Sequence, residues 1–284
     1  MSEQTVSIAN LYVHPVKSCA RIEQGSALVI ETGLEWDRQW MVVDEQGEFV
    51  SQRDEPRLAL VRPTLRANDL VLRAPGMLAL HLALDAIESE TTVQVWNDRV
   101  HAGDMGDLAA QWFSDFLGRR ARLARFDPEV QRVSDRKWTG DTRALTAFAD
   151  GFALLVVSSA SLAELNRRLA ARGAAAVSSD RFRPNLVLDG LGTHEEDWID
   201  RIRFDTADGA VVLRLVKPCA RCSIPDVDPQ RGEVDHAVSA ELATYRADAR
   251  LNGQITFGMN AIVEQGIDCW LHAGATGRAT VRFD

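Results

Sequence analysis

The residues best equipped for chemistry lie together in Lys217-Pro218-Cys219-Ala220-Arg221-Cys222-Ser223-Ile224-Pro225. Two thiols at this spacing have several uses. They can form half of a zinc site, although a second Cys-x-x-Cys or a His-x-x-x-His pair is missing and Cys19 and Cys269 stand alone. They can form a redox pair, since the Arg221 guanidinium would favour a neighbouring thiolate. They can pack without doing chemistry. A fourth use needs only one sulfur: a thiolate can bind a soft metal whose other ligands come from a cofactor. Such a cofactor is held by its polar tail, and anionic tails are held by Lys, Arg and backbone amides at strand ends. Lys17 and Ser18 after a strand end, Arg38 before a strand, and Arg183 in Phe182-Arg183-Pro184-Asn185 are groups of this kind. Their spacing alone does not bring them together.

The elements that must position these groups are mostly short strands. The Cys-x-x-Cys run directly follows the strand-like Val211–Val216. Val6–Val13 alternates partly and stops at His14-Pro15. Further strands are expected at Ser26–Ile30, Gln39–Asp44, Arg57–Leu65, Leu70–Arg73, Leu78–Leu84, Thr92–Val95, Phe152–Val157, Ile255–Glu264 and Arg278–Phe283. Glu45-Gln46-Gly47-Glu48 reads as a hairpin turn. Many short strands at this spacing predict a sandwich or barrel. Three helices are expected. Asp107–Leu117 places Leu108, Trp112, Phe113, Phe116 and Leu117 on one face and stops at Gly118. Ser161-Leu162-Ala163-Glu164 reads as a capping box opening a helix that runs to about Arg172 and stops at Gly173. The third covers about His236–Ala247. Arg119–Arg143, rich in Arg and Lys, reads as a solvated junction or as a basic wall beside an anionic ligand.

A length of 284 residues allows two domains or one large one. Apolar residues are 46% and charged residues 26%, so a packed core is affordable and disorder is disfavoured. The formal net charge of −9 argues against a nucleic-acid backbone binder, whose affinity is largely cationic. Four cysteines are too few for a disulfide scaffold. No apolar run reaches the ~20 residues of a membrane span, and the start lacks the pattern of a secretory or transit signal. The chain is expected to be cytoplasmic, with reduced cysteines.

The motifs around these residues resemble those of the MOSC proteins, the molybdenum-cofactor sulfurase C-terminal-domain homologues. Within that family they are most similar to the two-domain bacterial YcbX-like proteins and the mitochondrial amidoxime-reducing component. Leu11–Cys19 resembles the family's "YPVKSC" opening, and Gly33–Met41 resembles its "GL-x-x-DR-x-(W/F)" element. Gln52–Leu58 resembles "(T/S)-(A/Q)-R-x-x-PRL". Phe148–Gly151, Phe182–Asn185, Cys219–Cys222 continuing to Val227-Asp228-Pro229, and Phe257–Asn260 follow in family order.

The resemblance implies an α+β, β-rich fold. A β-rich MOSC N-terminal-type domain would cover residues 1–125 and a MOSC β-barrel with peripheral helices residues 126–284, with the first strands available to complete the second barrel. It implies a molybdenum-molybdopterin cofactor, bound in the interdomain cleft, with Cys222 as the protein ligand to the metal. Lys17, Ser18, Arg38, Arg183 and Arg221 match cofactor-holding positions, and Asp150, Gly151 and Phe152 match a loop against the cofactor. Asn260 stands where some relatives have Tyr, and Ala220 where some have Ser. Cys219, Cys19 and Cys269 read as structural. The implied reaction is two-electron reduction of N-hydroxylated compounds (hydroxylamines, amidoximes, N-hydroxylated bases) to amines, with Cys222 and Asp150 as the catalytic pair and Asp150 as proton donor. No Cys-x4-Cys-x2-Cys run of an iron–sulfur domain follows, so electrons are expected from a separate ferredoxin-, flavin- or cytochrome-type protein. The alternative is a sulfur carrier or cofactor-handling protein using a Cys222 persulfide. The chain shows no pyridoxal-phosphate desulfurase half, so the sulfur would come from another protein.

Overall fold

The computed structural model describes residues 3–282. Its first part holds strands β1 (Glu3–Val13), β2 (Ile22–Gln24), β3 (Ser26–Ile30), β4 (Gly33–Leu34), β5 (Trp40–Val43), β6 (Arg62–Leu65), β7 (Asp69–Arg73), β8 (Leu80–Ala83), β9 (Ser89–Val95), β10 (Asp98–Asp104) and β11 (Arg122–Phe126). The second part holds β12 (Leu154–Ser158), β13 (Leu186–Asp189), β14 (Ile199–Thr206), β15 (Gly209–Ala220), β16 (Ala247–Asp248), β17 (Gln254–Gln265), β18 (Trp270–His272) and β19 (Thr276–Val281). The helices are α1 (Asp107–Leu117), α2 (Arg136–Thr139), α3 (Ser159–Ala171) and α4 (Ala237–Leu242). The fold is thus β-rich, with few helices.

Seven strands close into a barrel in the order β12-β13-β1-β19-β14-β15-β17, with β17 pairing back to β12. Closure removes the exposed edges that an open sheet would carry. Every pairing in the ring is antiparallel except β12 with β13. Parallel neighbours need a crossover, and α3 supplies it. The barrel interior is filled by Val6, Ile8, Leu11, Val156, Leu188, Phe204, Leu213 and Met259, all buried. Gly258 lets β12 and β17 meet. A Cβ there would lie 2.7 Å from the Val156 carbonyl oxygen, and its φ of +73° already favours glycine.

The first part carries the sheet β5-β11-β10-β9 and the meander β6-β7-β8. Helix α1 buries Trp112, Phe113 and Phe116 against Val42, Leu58, Leu70 and Leu72. It ends at Gly118, with φ of 71°. The turn at Glu45–Glu48 is present, closed by Gly47 N donating to Asp44 O at 3.1 Å.

Several elements depart from the sequence reading. Leu108 is 65% exposed. At 100° per residue it lies about a third of a turn from the centre of the buried face. Arg57–Leu65 is not one strand, because Pro56 opens a 3-10 turn over Pro56–Leu60 before β6 begins. The cap of α3 is Ser158, whose hydroxyl accepts from Ser161 N. Ser161 instead donates to Glu196 Oε2 at 2.8 Å, while Glu164 pairs with Arg167 and Arg168. The third helix is only Ala237–Leu242. Strand β11 lies inside the stretch read as a junction, between β5 and β10. Strands β10, β13 and β14 carried no signal that the sequence reading used. Phe283, at the end of the last expected strand, lies outside the described residues.

Candidate functional site

One cleft is lined by Lys17, Ser18, Arg38, Asp150, Gly151, Phe152, Arg183, Ala220, Arg221, Cys222 and Asn260. Every residue singled out from the sequence as a candidate therefore reaches the same place. Phe49, Ser51, Arg53, Asn185 and Cys219 also line it. Lys17 and Ser18 follow the C-terminal end of β1, and Arg183 precedes β13. These two ends meet because β1 and β13 run antiparallel, with Leu11 opposite Leu186. Arg38 leads into β5, Asp150–Phe152 lead into β12, Cys219 and Ala220 end β15, and Arg221 and Cys222 follow it.

Ser18, Arg38 and Arg183 all have positive φ, at 67°, 50° and 58°. Each such non-glycine residue costs of order 1–3 kcal/mol, and three around one cleft are the kind of strain that surrounding structure maintains at functional sites. A buried network holds them. Arg38 Nη1 donates to Asp37 Oδ2 at 2.5 Å and to Asn185 Oδ1 at 3.1 Å, and Arg38 Nη2 donates to the Arg183 carbonyl at 3.0 Å. Arg183 Nη1 donates to the Cys19 carbonyl at 2.6 Å, while Arg183 Nη2 is buried and has no hydrogen-bond partner among the described residues. Burial, with the Arg38 charge beside it, lowers Arg183 to about 10. The same causes, burial first, hold His14 neutral, well below its ordinary value. A buried guanidinium with an unused donor next to a second guanidinium is a site for an anion.

Across the cleft, Lys17 Nζ donates to Phe148 O at 2.8 Å and to Asp150 Oδ1 at 2.5 Å. Trp96 Nε1 donates to the same Asp150 oxygen at 3.0 Å. Burial lowers Lys17, with the Asp150 charge opposing it. Desolvation pushes the Asp150 carboxyl up, but the Lys17 ammonium and the two hydrogen bonds outweigh it and hold Asp150 well below the usual carboxylate range. Asp150, the expected proton donor, is thus held in a close ion pair with Lys17. Paired this way it is a carboxylate at neutral pH, and the proton sits on Lys17. Arg132, from the basic stretch, fixes the loop from behind. Its Nη1 donates to Ala147 O at 2.9 Å and its Nη2 to Asp150 O at 2.9 Å.

The thiols differ. Cys222 is exposed at the cleft. Burial pushes the Cys19 thiol up to about 12 and raises that of Cys219. Arg221 lines the cleft and is also held by backbone carbonyls. Its Nε and Nη2 donate to Phe257 O at 2.9 and 2.6 Å, and its Nη1 to Phe182 O at 3.0 Å, so it ties β17 to the turn before β13. Asn260 Nδ2 donates to Lys217 O at 3.3 Å. Among the described residues, no group of three or more His, Cys, Asp or Glu side chains is placed to hold a metal ion. Phe49, Arg53, Trp96 and Asp37 are not singled out from the sequence, although Arg53 stands in the Gln52–Leu58 motif and Asp37 in the Gly33–Met41 motif.

The MOSC N-terminal beta barrel domain family matches residues 5–120, and the MOSC domain family matches residues 144–276. The chain is 34% identical over 254 residues to mitochondrial amidoxime reducing component 2 of Bos taurus, covering 86% of this chain and 73% of that protein. The chain belongs to the MOSC family. It is also 34% identical to mitochondrial amidoxime-reducing component 1 of Mus musculus, over 86% of this chain and 72% of that protein. To the molybdenum cofactor sulfurase of Homo sapiens this MOSC chain is 30% identical over 94% of its own length, matching 31% of that protein. In this MOSC protein the residues fit the anionic cofactor that the family resemblance implies. The buried Arg183 Nη2 lacks a partner, and Cys222 is an accessible soft ligand in the same cleft.

Proposed function

We propose that this protein binds molybdenum-molybdopterin in the cleft and reduces N-hydroxylated compounds to amines. The observation that carries the proposal is one cleft holding both the exposed Cys222 thiol and the buried, unpartnered Arg183 Nη2. The named relatives support the same reading, since amidoximes are N-hydroxylated. Cys222 would hold the metal as a thiolate, while Arg183 and Arg38 would hold the anionic tail. The cofactor supplies the two-electron redox chemistry when bound. The chain's own groups do the rest. Arg132 and the Lys17–Asp150 pair keep the Asp150–Phe152 loop against the cleft. Lys17 Nζ holds a proton at the cleft, and Asp150 and Phe148 O orient it. Reducing equivalents come from a separate redox protein.

The test is elemental analysis of protein made in a host that synthesises molybdenum cofactor, together with turnover of benzamidoxime by a chemical reductant. Wild type should carry near-stoichiometric molybdenum. Cys222→Ala should lose the metal and all turnover, while Cys219→Ala should keep both. No molybdenum in wild type would overturn the proposal. A mass increase of one sulfur on Cys222 in place of metal would favour the persulfide carrier, which the exposure of Cys222 also permits.

A further inference from the structure

The mouth of the cleft carries a guanidinium that this chemistry does not use. Arg53 lines the cleft and is half-buried. A tight turn aims it: Ser51 Oγ accepts from Arg53 N at 3.2 Å and donates to Asp54 Oδ2 at 2.9 Å. The guanidinium lies 5.6 Å from the Phe49 ring centroid and 4.6 Å from that of Trp96. Among the described residues it makes no side-chain hydrogen bond and no ion pair. Its ring and charge contacts are with Phe49, Trp96 and Asp150.

Trp96 is an unusual partner for it. It is the first of the two residues that turn β9 into β10, with φ of 56°. A positive φ at this point of a hairpin favours Gly or Asn. The side chain is large, and the residue is 47% exposed. It is nevertheless held in place. Its indole donates to Asp150, Gln94 Nε2 donates to its carbonyl at 2.6 Å, and the Phe49 ring meets it edge-on at 5.1 Å. A strained, exposed aromatic that is fixed in this way points to function at the mouth.

We propose that Arg53, clamped between Phe49 and Trp96, is a specificity-determining residue that grips a carboxylate on the substrate. The favoured substrates are then N-hydroxylated compounds bearing a carboxylate. This rests on the reductase reading above. The planar fork of a guanidinium matches a carboxylate with two parallel hydrogen bonds. Lys17 cannot compete for that group, because Asp150 already neutralises it. The cofactor's tail has its own cations in Arg38 and Arg183, and none of Arg53's contacts are with them.

The experiment compares molybdenum-loaded wild type, Arg53→Gln and the exposed-pair control Arg120→Gln on 4-carboxybenzamidoxime and its uncharged parent, benzamidoxime. Wild type should prefer the carboxylated substrate by about tenfold or more in kcat/KM, the scale of a charge-assisted hydrogen bond, expressed mainly in KM. Arg53→Gln should bring that ratio near one, and Arg120→Gln should leave it unchanged. Calorimetric titration of the metal-free protein with 4-carboxybenzamidine should show binding that Arg53→Gln loses. Equal use of both substrates by wild type would overturn the proposal, as would loss of molybdenum from Arg53→Gln, which would assign Arg53 to the cofactor. If loaded wild type turns over neither substrate, the reductase reading fails. Calorimetry then decides the grip separately, supporting it if wild type alone binds the carboxylated probe and overturning it if both proteins bind equally.

Discussion

At the scale of single residues, chemistry here is decided by which charges find partners. Asp150 has Lys17 and Arg38 has Asp37, whereas Arg183 keeps one donor unused. Glu196 shows the opposite case. It is 0% exposed and accepts from Ser158 N at 3.2 Å and Ser161 Oγ at 2.8 Å, with no ion pair among the described residues. Burial pushes its carboxyl from 4.5 up to about 7. A raised folded-state value means that the unfolded chain ionises first. Stability from this group is complete below pH 4.5 and is lost as pH rises toward 7. Glu196→Gln cannot ionise. Its stability relative to wild type should therefore climb across that window, by up to about 3 kcal/mol. Urea unfolding of both proteins at pH 5 and pH 8 reads this directly. His194, lowered to about 4 by burial, titrates in both proteins and largely cancels from the difference. A gap that stays constant with pH would show that Glu196 ionises normally.

At the scale of elements, the site depends on a hairpin from the first part gripping a loop of the second. Asp98, which opens β10, accepts from Arg132 Nε at 2.7 Å, and Arg132 also holds the carbonyls of Ala147, Ala149 and Asp150. Trp96, at the tip of the same hairpin, holds the Asp150 side chain. Arg132→Leu would leave those carbonyls short of a donor, at about 1–3 kcal/mol for each that stays buried. We expect a lower melting temperature and a clear drop in molybdenum content. Arg119→Gln, which removes only two long ion pairs of 3.8 Å, should shift stability by less than about 1 kcal/mol. Unchanged metal content in Arg132→Leu would mean that the loop holds itself. In the basic stretch Arg119–Arg143, Arg119 and Arg120 are exposed ion-pair partners, and Arg132 is spent on Asp98 and the carbonyls of the Ala147–Asp150 loop rather than facing the cleft.

At the scale of the whole molecule, the barrel is completed by the start of the chain. Strand β1 pairs with β13 on one side and β19 on the other. A fragment of residues 126–284, the second domain as the sequence divides it, would lack one strand of the seven. It would also lack Lys17, Ser18 and Arg38. Such a fragment should show no cooperative thermal transition, because its open edges and the apolar face of β13 lose their cover. Restoring residues 3–13 as a separate peptide should recover part of it. A sharp, fully native-like transition in the fragment alone would refute this account of closure.

What the sequence determined by itself is local. The period and the final glycine of α1 and the turn at Glu45–Glu48 follow from residues a few positions apart. The family resemblance also marked eleven of the residues that line the cleft. Tertiary structure decided what those residues do there. Lys17 and Asp150 are 133 positions apart, and their pairing sets which of them holds the proton. Arg221 is consumed by carbonyls that only barrel closure brings to it. Arg53 and Trp96 meet only because the tip of the β9–β10 hairpin reaches Phe49 and Asp150. Hydrogen bonding and charge state depend on distances between groups, and over such separations no local pattern encodes a distance.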